Sequence, residues 1–167
     1  TNAGLGCPDW PGCYGHLYVP TSAAAITKID QANPTKPLLI NKARSEMLHR
    51  YGAGFLGFLI LLVLIQVVRL YIRGQKQYML PAIFLMALLI YRPILGMWTV
   101  TLQLLPAIVT QHLLGGFAIL ALLWLLGLMA SSQHNSEKIQ MPHSLRKWAL
   151  LGLALLIAQI FLGAWTS

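Results

Sequence analysis

Four long apolar stretches limit what this chain can fold into. They run roughly from Met47 to Leu70, Met79 to Val100, Pro106 to Ala130 and Leu145 to Thr166. A helix of about 20 residues, rising about 1.5 Å per residue, crosses a hydrocarbon layer of about 30 Å, so each stretch can span a membrane. The composition agrees, since 57% of the residues are hydrophobic and 10% are charged. The sequence therefore predicts an all-α integral membrane protein with four transmembrane helices in a bundle.

The apolar stretches divide the chain into four parts. Residues 1–45 form a polar outer loop, and residues 46–130 hold three of the helices. Residues 131–144 connect the third helix to the fourth, which occupies residues 145–167. The absence of an initiating Met and of a signal peptide leads us to expect that the chain is part of a longer protein.

The net charge of +8 lies in the connections and not in a patch interleaved with aromatic residues, so we do not expect binding to nucleic acid. Two connections fall on one side of the membrane, which the positive-inside tendency makes cytoplasmic. Basic residues on the opposite side weaken that assignment. The first group of basic residues, in the two connections, is Arg69, Arg73, Lys76, Lys138, Arg146 and Lys147. The second group, on the opposite side, is Lys28, Lys36, Lys42, Arg44 and Arg50.

The outer loop contains the chain's two cysteines, Cys7 and Cys13, in the segment GCPDWPGC. An oxidised pair fits an exoplasmic or periplasmic loop. Two free thiols, or two ligands of a metal site, are the alternatives. An oxidised pair would place the loop outside the cytoplasm, in agreement with the first group of basic residues.

An internal repeat joins the second span to the fourth. Residues 87–99 read ALLIYRPILGMWT and residues 154–166 read ALLIAQIFLGAWT, identical at eight of thirteen positions. Membrane proteins built from duplicated bundles show such self-similarity. Chance recurrence of interfacial Trp anchors is the alternative.

Two histidines stand near the beginnings of the first and third spans. Two crossings separate His49 from His112, so their helices run parallel and both histidines fall at the same membrane face. Imidazole is a good iron ligand, and two facing rings would leave room for a planar macrocycle. Small residues follow each histidine and would make that room: Gly52, Gly54, Gly57, Gly115 and Gly116. The alternative is that these glycines serve helix packing alone, and that each histidine hydrogen-bonds a neighbour.

Two charged residues flank His49. Glu46 lies three residues earlier, on the same helical face, where it could orient His49, act on a bound substrate, or cap the helix N-terminus. Arg50 could pair with a haem propionate or extend to the lipid headgroups.

The segments TNAGLGCPDWPGCYG, EMLHRYGAG, LGMWTV, QHLLGG and LGAWTS together resemble the haem A synthase family, in the form found in Gram-negative bacteria and mitochondria. The resemblance covers nearly the whole chain. It implies eight membrane helices in two pseudo-symmetric four-helix halves, of which this chain would hold helices two to five.

The resemblance also implies the reaction, an oxidation of the C8 methyl group of haem O to a formyl group for cytochrome oxidase. It places His49 and His112 as the iron ligands in the substrate half, Glu46 as catalytic and Cys7 with Cys13 as a disulfide. Arg50 stays a candidate haem-binding residue on its own chemistry. Haem b would lie in the half outside this chain, in the bacterial inner membrane. The implied partners are haem O synthase, the cytochrome oxidase assembly machinery, membrane lipid and an unidentified electron acceptor, and a homo-oligomer is compatible with them.

One position departs from the family pattern. Arg92, followed by Pro93, stands where the second repeat has the family's usual glutamine, Gln159. An arginine inside a span needs a partner, and a proline there removes a backbone hydrogen bond. Two rival functions also remain: a bis-histidine membrane cytochrome that leaves its haem unchanged, and a transporter or assembly scaffold whose histidines are structural.

Overall fold

A computed structural model describes residues 6–132 and 143–165, and these residues fold into helices without a β-strand. The helices are α1 (Ala23–Ala32), α2 (Ile40–Ile72), α3 (Met79–Thr101), α4 (Pro106–Ser132) and α5 (His143–Trp165). A single 3₁₀ turn, Lys76–Tyr78, precedes α3. The prediction of an all-α bundle is confirmed. The first five residues of the predicted outer loop and most of the predicted connection 131–144, with Lys138, lie outside the described residues.

Three helical segments are long and apolar enough to cross a membrane: Ile40–Ile72, Lys76–Thr101 and Pro106–Ser131. The fourth predicted span corresponds to α5, a helix of 23 residues whose described apolar part is Lys147–Gly163. The outer end of the bundle is the end near Ile40, Thr101 and Pro106, and the inner end is the opposite one.

The helix α2 extends well beyond its apolar part. It has 33 residues, so at about 1.5 Å per residue it is about 50 Å long, more than the hydrocarbon layer requires. The sequence of its first turns, INKARSE, contains good helix formers but no continuous apolar run. The helix therefore begins at Ile40, and not near Met47 where the apolar pattern begins.

The bundle has two separate cores. In the inner core, Ile60, Leu64 and Val67 of α2 pack with residues of the following helices, among them Leu85 and Ile119. The helices pack mainly in chain order, α2 with α3, α3 with α4, and α4 with α5.

The outer core lies beneath the cap, which we define as residues 6–39. Cys7, Cys13, Ile29 and Leu38 of the cap pack there with Ala43 and Met47 of α2. The cap includes α1, in a region where the sequence left open whether a helix forms. It covers the outer end of the bundle.

Candidate functional site

A cavity of about 630 Å³ opens between α2, α3 and α4, with Trp10 and Pro11 of the cap at its outer side. Its wall is mainly apolar and contains a few polar side chains. Pockets that bind cofactors and small molecules have this size and character, at about 300–1,000 Å³.

The cavity brings together the four residues that the sequence predicted as catalytic or haem-binding. Glu46, His49 and Arg50 reach it from α2, and His112 reaches it from α4. Arg92 of α3 lines it as well. Cys7 and Cys13 lie above it in the cap.

The two histidines stand at nearly the same level of the bundle. A β-carbon added at Gly57 of α2 would lie 3.5 Å from Leu89 Cδ1 of α3, so these two positions are level. The two helices run in opposite directions. Counting eight residues toward the outer end from Gly57 and from Leu89 therefore reaches His49 on α2 and Met97 on α3, which lie at similar levels. Gly96, the neighbour of Met97, approaches His112, since a β-carbon there would lie 3.5 Å from His112 Cε1. At about 1.5 Å per residue, the two histidines lie within about one helical turn of a common level.

His112 has an unsatisfied ring nitrogen. Its Nδ1 atom is buried and has no hydrogen-bond partner among the described residues. A buried polar atom without a partner costs free energy, about 1–3 kcal/mol, and such an atom at a cavity wall is typical of a site that binds a ligand. Sequence reasoning named His112 but did not predict this feature.

Glu46 is buried and anchors the cap to α2. Its Oε2 atom accepts hydrogen bonds from the backbone N–H groups of Gly6, at 2.8 Å, and Cys7, at 3.1 Å. Its Oε1 atom forms an ion pair with Arg50, one turn later on the same helix. Because α2 begins at Ile40, with no acidic residue in its first turn, the alternative in which Glu46 caps the helix is wrong.

Arg50 binds the loop that contains the cysteines. Its Nη1 atom donates to the backbone carbonyls of Asp9, at 3.0 Å, Pro11, at 3.2 Å, and Gly12. Its Nη2 atom donates to Glu46. A guanidinium has five N–H groups, so these contacts do not use all of its donors.

The loop itself is closed by a disulfide between Cys7 and Cys13, whose Cα atoms are 4.9 Å apart. Both cysteines are fully buried. Asp9 shapes the same loop by accepting hydrogen bonds from the backbone N–H groups of Tyr14, at 2.6 Å, and Gly15, at 2.8 Å. The disulfide, Asp9 and Arg50 thus hold Trp10 and Pro11 at the mouth of the cavity.

Arg92 crosses from α3 to α4. Its Nη1 atom donates to the backbone carbonyl of His112. A β-carbon at Gly115 would lie 3.1 Å from Arg92 Cδ, and one at Gly116 would lie 3.1 Å from Arg92 Nη1. The room that these glycines provide is therefore used by Arg92, and of the two only Gly116 also lines the cavity.

The two histidines of the cavity suit an iron that is already coordinated by a macrocycle. Among residues 6–132 and 143–165, no group of three or more His, Cys, Asp or Glu side chains could hold a metal ion. Two imidazoles on different helices at similar depth would suit the two axial positions of a haem, whose macrocycle would supply the remaining ligands. The residues present fit a haem.

Comparison with known proteins identifies the family. The whole chain, residues 1–167, matches the profile of a family described as cytochrome oxidase assembly protein (COX15-CtaA). The chain belongs to this family. It is also 42% identical, over 167 residues, to a protein named "Heme A synthase" from Shewanella oneidensis.

That alignment covers 100% of this chain and 49% of the relative, so the chain spans about half the length of the curated relative it matches. No solved structure matches the chain. The resemblance to the haem A synthase family is thus confirmed, and the apolar helices identify this family member as an integral membrane protein.

Proposed function

We propose that this chain is the substrate-binding half of a haem A synthase, which oxidises the C8 methyl group of haem O to a formyl group for cytochrome oxidase. The observation that carries the proposal is the pair of histidines, His49 and His112, at similar depth in one cavity, with a buried His112 nitrogen that has no hydrogen-bond partner among the described residues. Under this proposal the two imidazoles hold the iron of haem O, and the haem b of the enzyme lies in the half outside this chain.

In this site Glu46 acts beside the oxidised edge of the substrate. If both imidazoles held the iron of the substrate, oxygen activation at that iron would be disfavoured. The methyl group would instead lose four electrons and four protons, the electrons passing to an acceptor outside this chain and water supplying the formyl oxygen. The carboxylate of Glu46 is held at the cavity by two backbone N–H groups and by Arg50, which supports a role in stabilising developing positive charge or in accepting a proton. The remaining N–H donors of Arg50 are available to a propionate.

We also propose the orientation of the chain. A disulfide persists in an oxidising compartment, which supports a periplasmic cap above the bacterial inner membrane. The basic residues Arg69, Arg73 and Lys76 at the inner end support a cytoplasmic location for that end. Haem O would then come from haem O synthase in the same membrane, and the product would pass to cytochrome oxidase assembly.

The first experiment is an absorption spectrum and a pigment extraction on the detergent-purified full-length protein. His49→Ala and His112→Ala are compared with His16→Ala, which removes an exposed histidine of the cap. We expect haem O or haem A in the parent and in the control, and its depletion in both cavity variants while haem b remains. Haem b alone, unchanged by either cavity variant, would contradict the proposal and favour a cytochrome. No haem at all would favour a scaffold.

A second variant tests Glu46 separately from haem binding. Glu46→Gln keeps the size of the side chain but removes its charge. We expect haem O to be retained and the yield of haem A to fall. A normal haem A yield would show that Glu46 has no part in the reaction.

A further inference from the structure

Arg92 is a fixed cation at the wall of the cavity. It lies within α3, its guanidinium donates to the carbonyl of His112, and its side chain passes over Gly115 and Gly116 of α4. These contacts restrict the side chain to one place between the two helices. The position of its charge is therefore set before any ligand binds.

The charge of Arg92 has no carboxylate partner among the described residues. Glu46 is the carboxylate that lines the cavity, and it pairs with Arg50. Asp9 and Asp30 lie in the cap, where they accept hydrogen bonds from backbone N–H groups. The carbonyl of His112 is neutral and does not compensate a full charge. An arginine inside a span costs free energy unless an opposite charge or several dipoles surround it.

We propose that Arg92 binds a carboxylate of the molecule that occupies the cavity. The guanidinium has five N–H groups in a planar fork, which matches a carboxylate in a bidentate arrangement. The contact with His112 uses one of them, so a pair of donors remains for the ligand.

The depth of Arg92 indicates which part of the ligand carries this carboxylate. Arg92 lies four residues inward of Gly96, the position on α3 that approaches the His112 ring. At about 1.5 Å per residue this is about 6 Å along the helix. A group at Arg92 therefore belongs to the edge of a ligand whose centre is held by the histidines. This inference rests on the proposed function, under which the carboxylate is a haem propionate.

The test compares two probes, iron protoporphyrin IX and its dimethyl ester, which lacks both carboxylates. Each probe is titrated into detergent-purified full-length protein depleted of haem. Binding to this site is defined as the fraction of probe binding that is lost in the His112→Ala variant. A charge-assisted pair of about 1.5–3 kcal/mol corresponds to about a tenfold or greater preference for the diacid in the wild-type protein. We expect Arg92→Gln to lower this preference by about tenfold, leaving only the part that Arg50 contributes, and Arg92→Lys to keep part of the difference.

Arg69→Gln is the matched control, because it removes an exposed arginine at the inner end of α2, outside the cavity. It should leave the preference unchanged. An undiminished preference in Arg92→Gln would overturn the inference while leaving the histidine site intact. If His112→Ala removes no binding of either probe, the proposed function itself fails. If Arg92→Gln does not fold, the preference for the diacid over the dimethyl ester is compared between the wild-type protein and Arg92→Lys. The absence of this preference in the wild-type protein would overturn the inference.

Discussion

The carboxylate of Glu46 accepts a hydrogen bond from the backbone N–H of Cys7, at 3.1 Å and across 39 residues of the chain. This bond joins the wall of the cavity directly to the disulfide loop. The same carboxylate pairs with Arg50, whose other nitrogen donates to the carbonyls of that loop. The cap and the candidate site are therefore one hydrogen-bonded unit. A substitution in either one should change the stability of the other.

The first prediction concerns the cap anchor. Arg50→Gln removes the ion pair with Glu46 and the donors to three loop carbonyls. We expect the free energy for opening the cap to decrease by about 1–3 kcal/mol, because buried polar groups lose their partners. Amide hydrogen exchange of the full-length protein should become faster in residues 6–16 and remain unchanged in the inner core. Arg44→Gln, an exposed change on the same helix, is the control. Equal exchange in both variants would show that Arg50 does not anchor the cap.

The second prediction concerns alkaline pH. Burial, and to a lesser degree Asp30, Asp9 and Glu46, raise the pKa of the Tyr14 phenol above its ordinary value of 10.0. The folded cap then holds this proton at a pH where the unfolded chain has released it, so the free energy of unfolding decreases as pH rises above about 10. Tyr14 also donates to the carbonyl of Lys36, at 2.9 Å, which requires the protonated phenol.

Amide exchange in the cap, followed across this pH range and corrected for the intrinsic rate, measures the effect. Tyr14→Phe should be less stable at neutral pH and should lack the additional loss above about pH 10 that Tyr14 produces. An identical pH profile in the variant and the wild type would contradict the assignment to Tyr14.

The third prediction concerns the contact between Arg92 and α4. A β-carbon at Gly116 would lie 3.1 Å from Arg92 Nη1, so Gly116→Ala should displace the guanidinium by a few tenths of an ångström and weaken its bond to His112. Ala also favours the helix by up to about 1 kcal/mol, so the net change in stability should be small while the affinity for a diacid porphyrin decreases.

A double-mutant cycle isolates this effect. Gly116→Ala should have little effect on affinity in the Arg92→Gln background, since the group it displaces is gone. Gly127→Ala is the control on the same helix, where an added β-carbon would meet no atom within 4 Å. Additive effects of Gly116→Ala and Arg92→Gln would show that the two positions act independently.

The sequence predicted the membrane helices well because length and apolar composition alone decide whether a segment can span. It also placed His49 and His112 at one face, since two crossings fix that relation. It left α1 open and missed the early start of α2, because neither has a long apolar run. The local interpretation of Glu46 as a helix cap was wrong, because the partners of Glu46 at Gly6 and Cys7 are distant in sequence.

The role of the glycines after His112 was beyond the sequence for a different reason. The sequence predicts that Gly115 and Gly116 make room for a macrocycle or serve helix packing; Arg92 is the group closest to both, and Gly116 also lines the cavity. Which residue of α3 faces which residue of α4 depends on the rotation of both helices, and a sequence does not specify that rotation. The sequence did mark Arg92 as unusual, because a charge inside a span requires a partner.

The last prediction concerns a close approach between the cap and α2. A β-carbon at Gly6 would lie 2.6 Å from the carbonyl carbon of Lys42 and 2.7 Å from the backbone nitrogen of Ala43. Backbone atoms within a helix cannot move aside, so Gly6→Ala should push the loop away from α2 and lengthen its bonds to Glu46, at a cost of about 1–3 kcal/mol. The buried disulfide should then be reduced faster by a mild reductant, as measured by thiol labelling of the full-length protein. Gly52→Ala, whose β-carbon would meet no atom within 4 Å, should not change the rate. Equal rates in the two variants would show that this contact does not hold the cap in place.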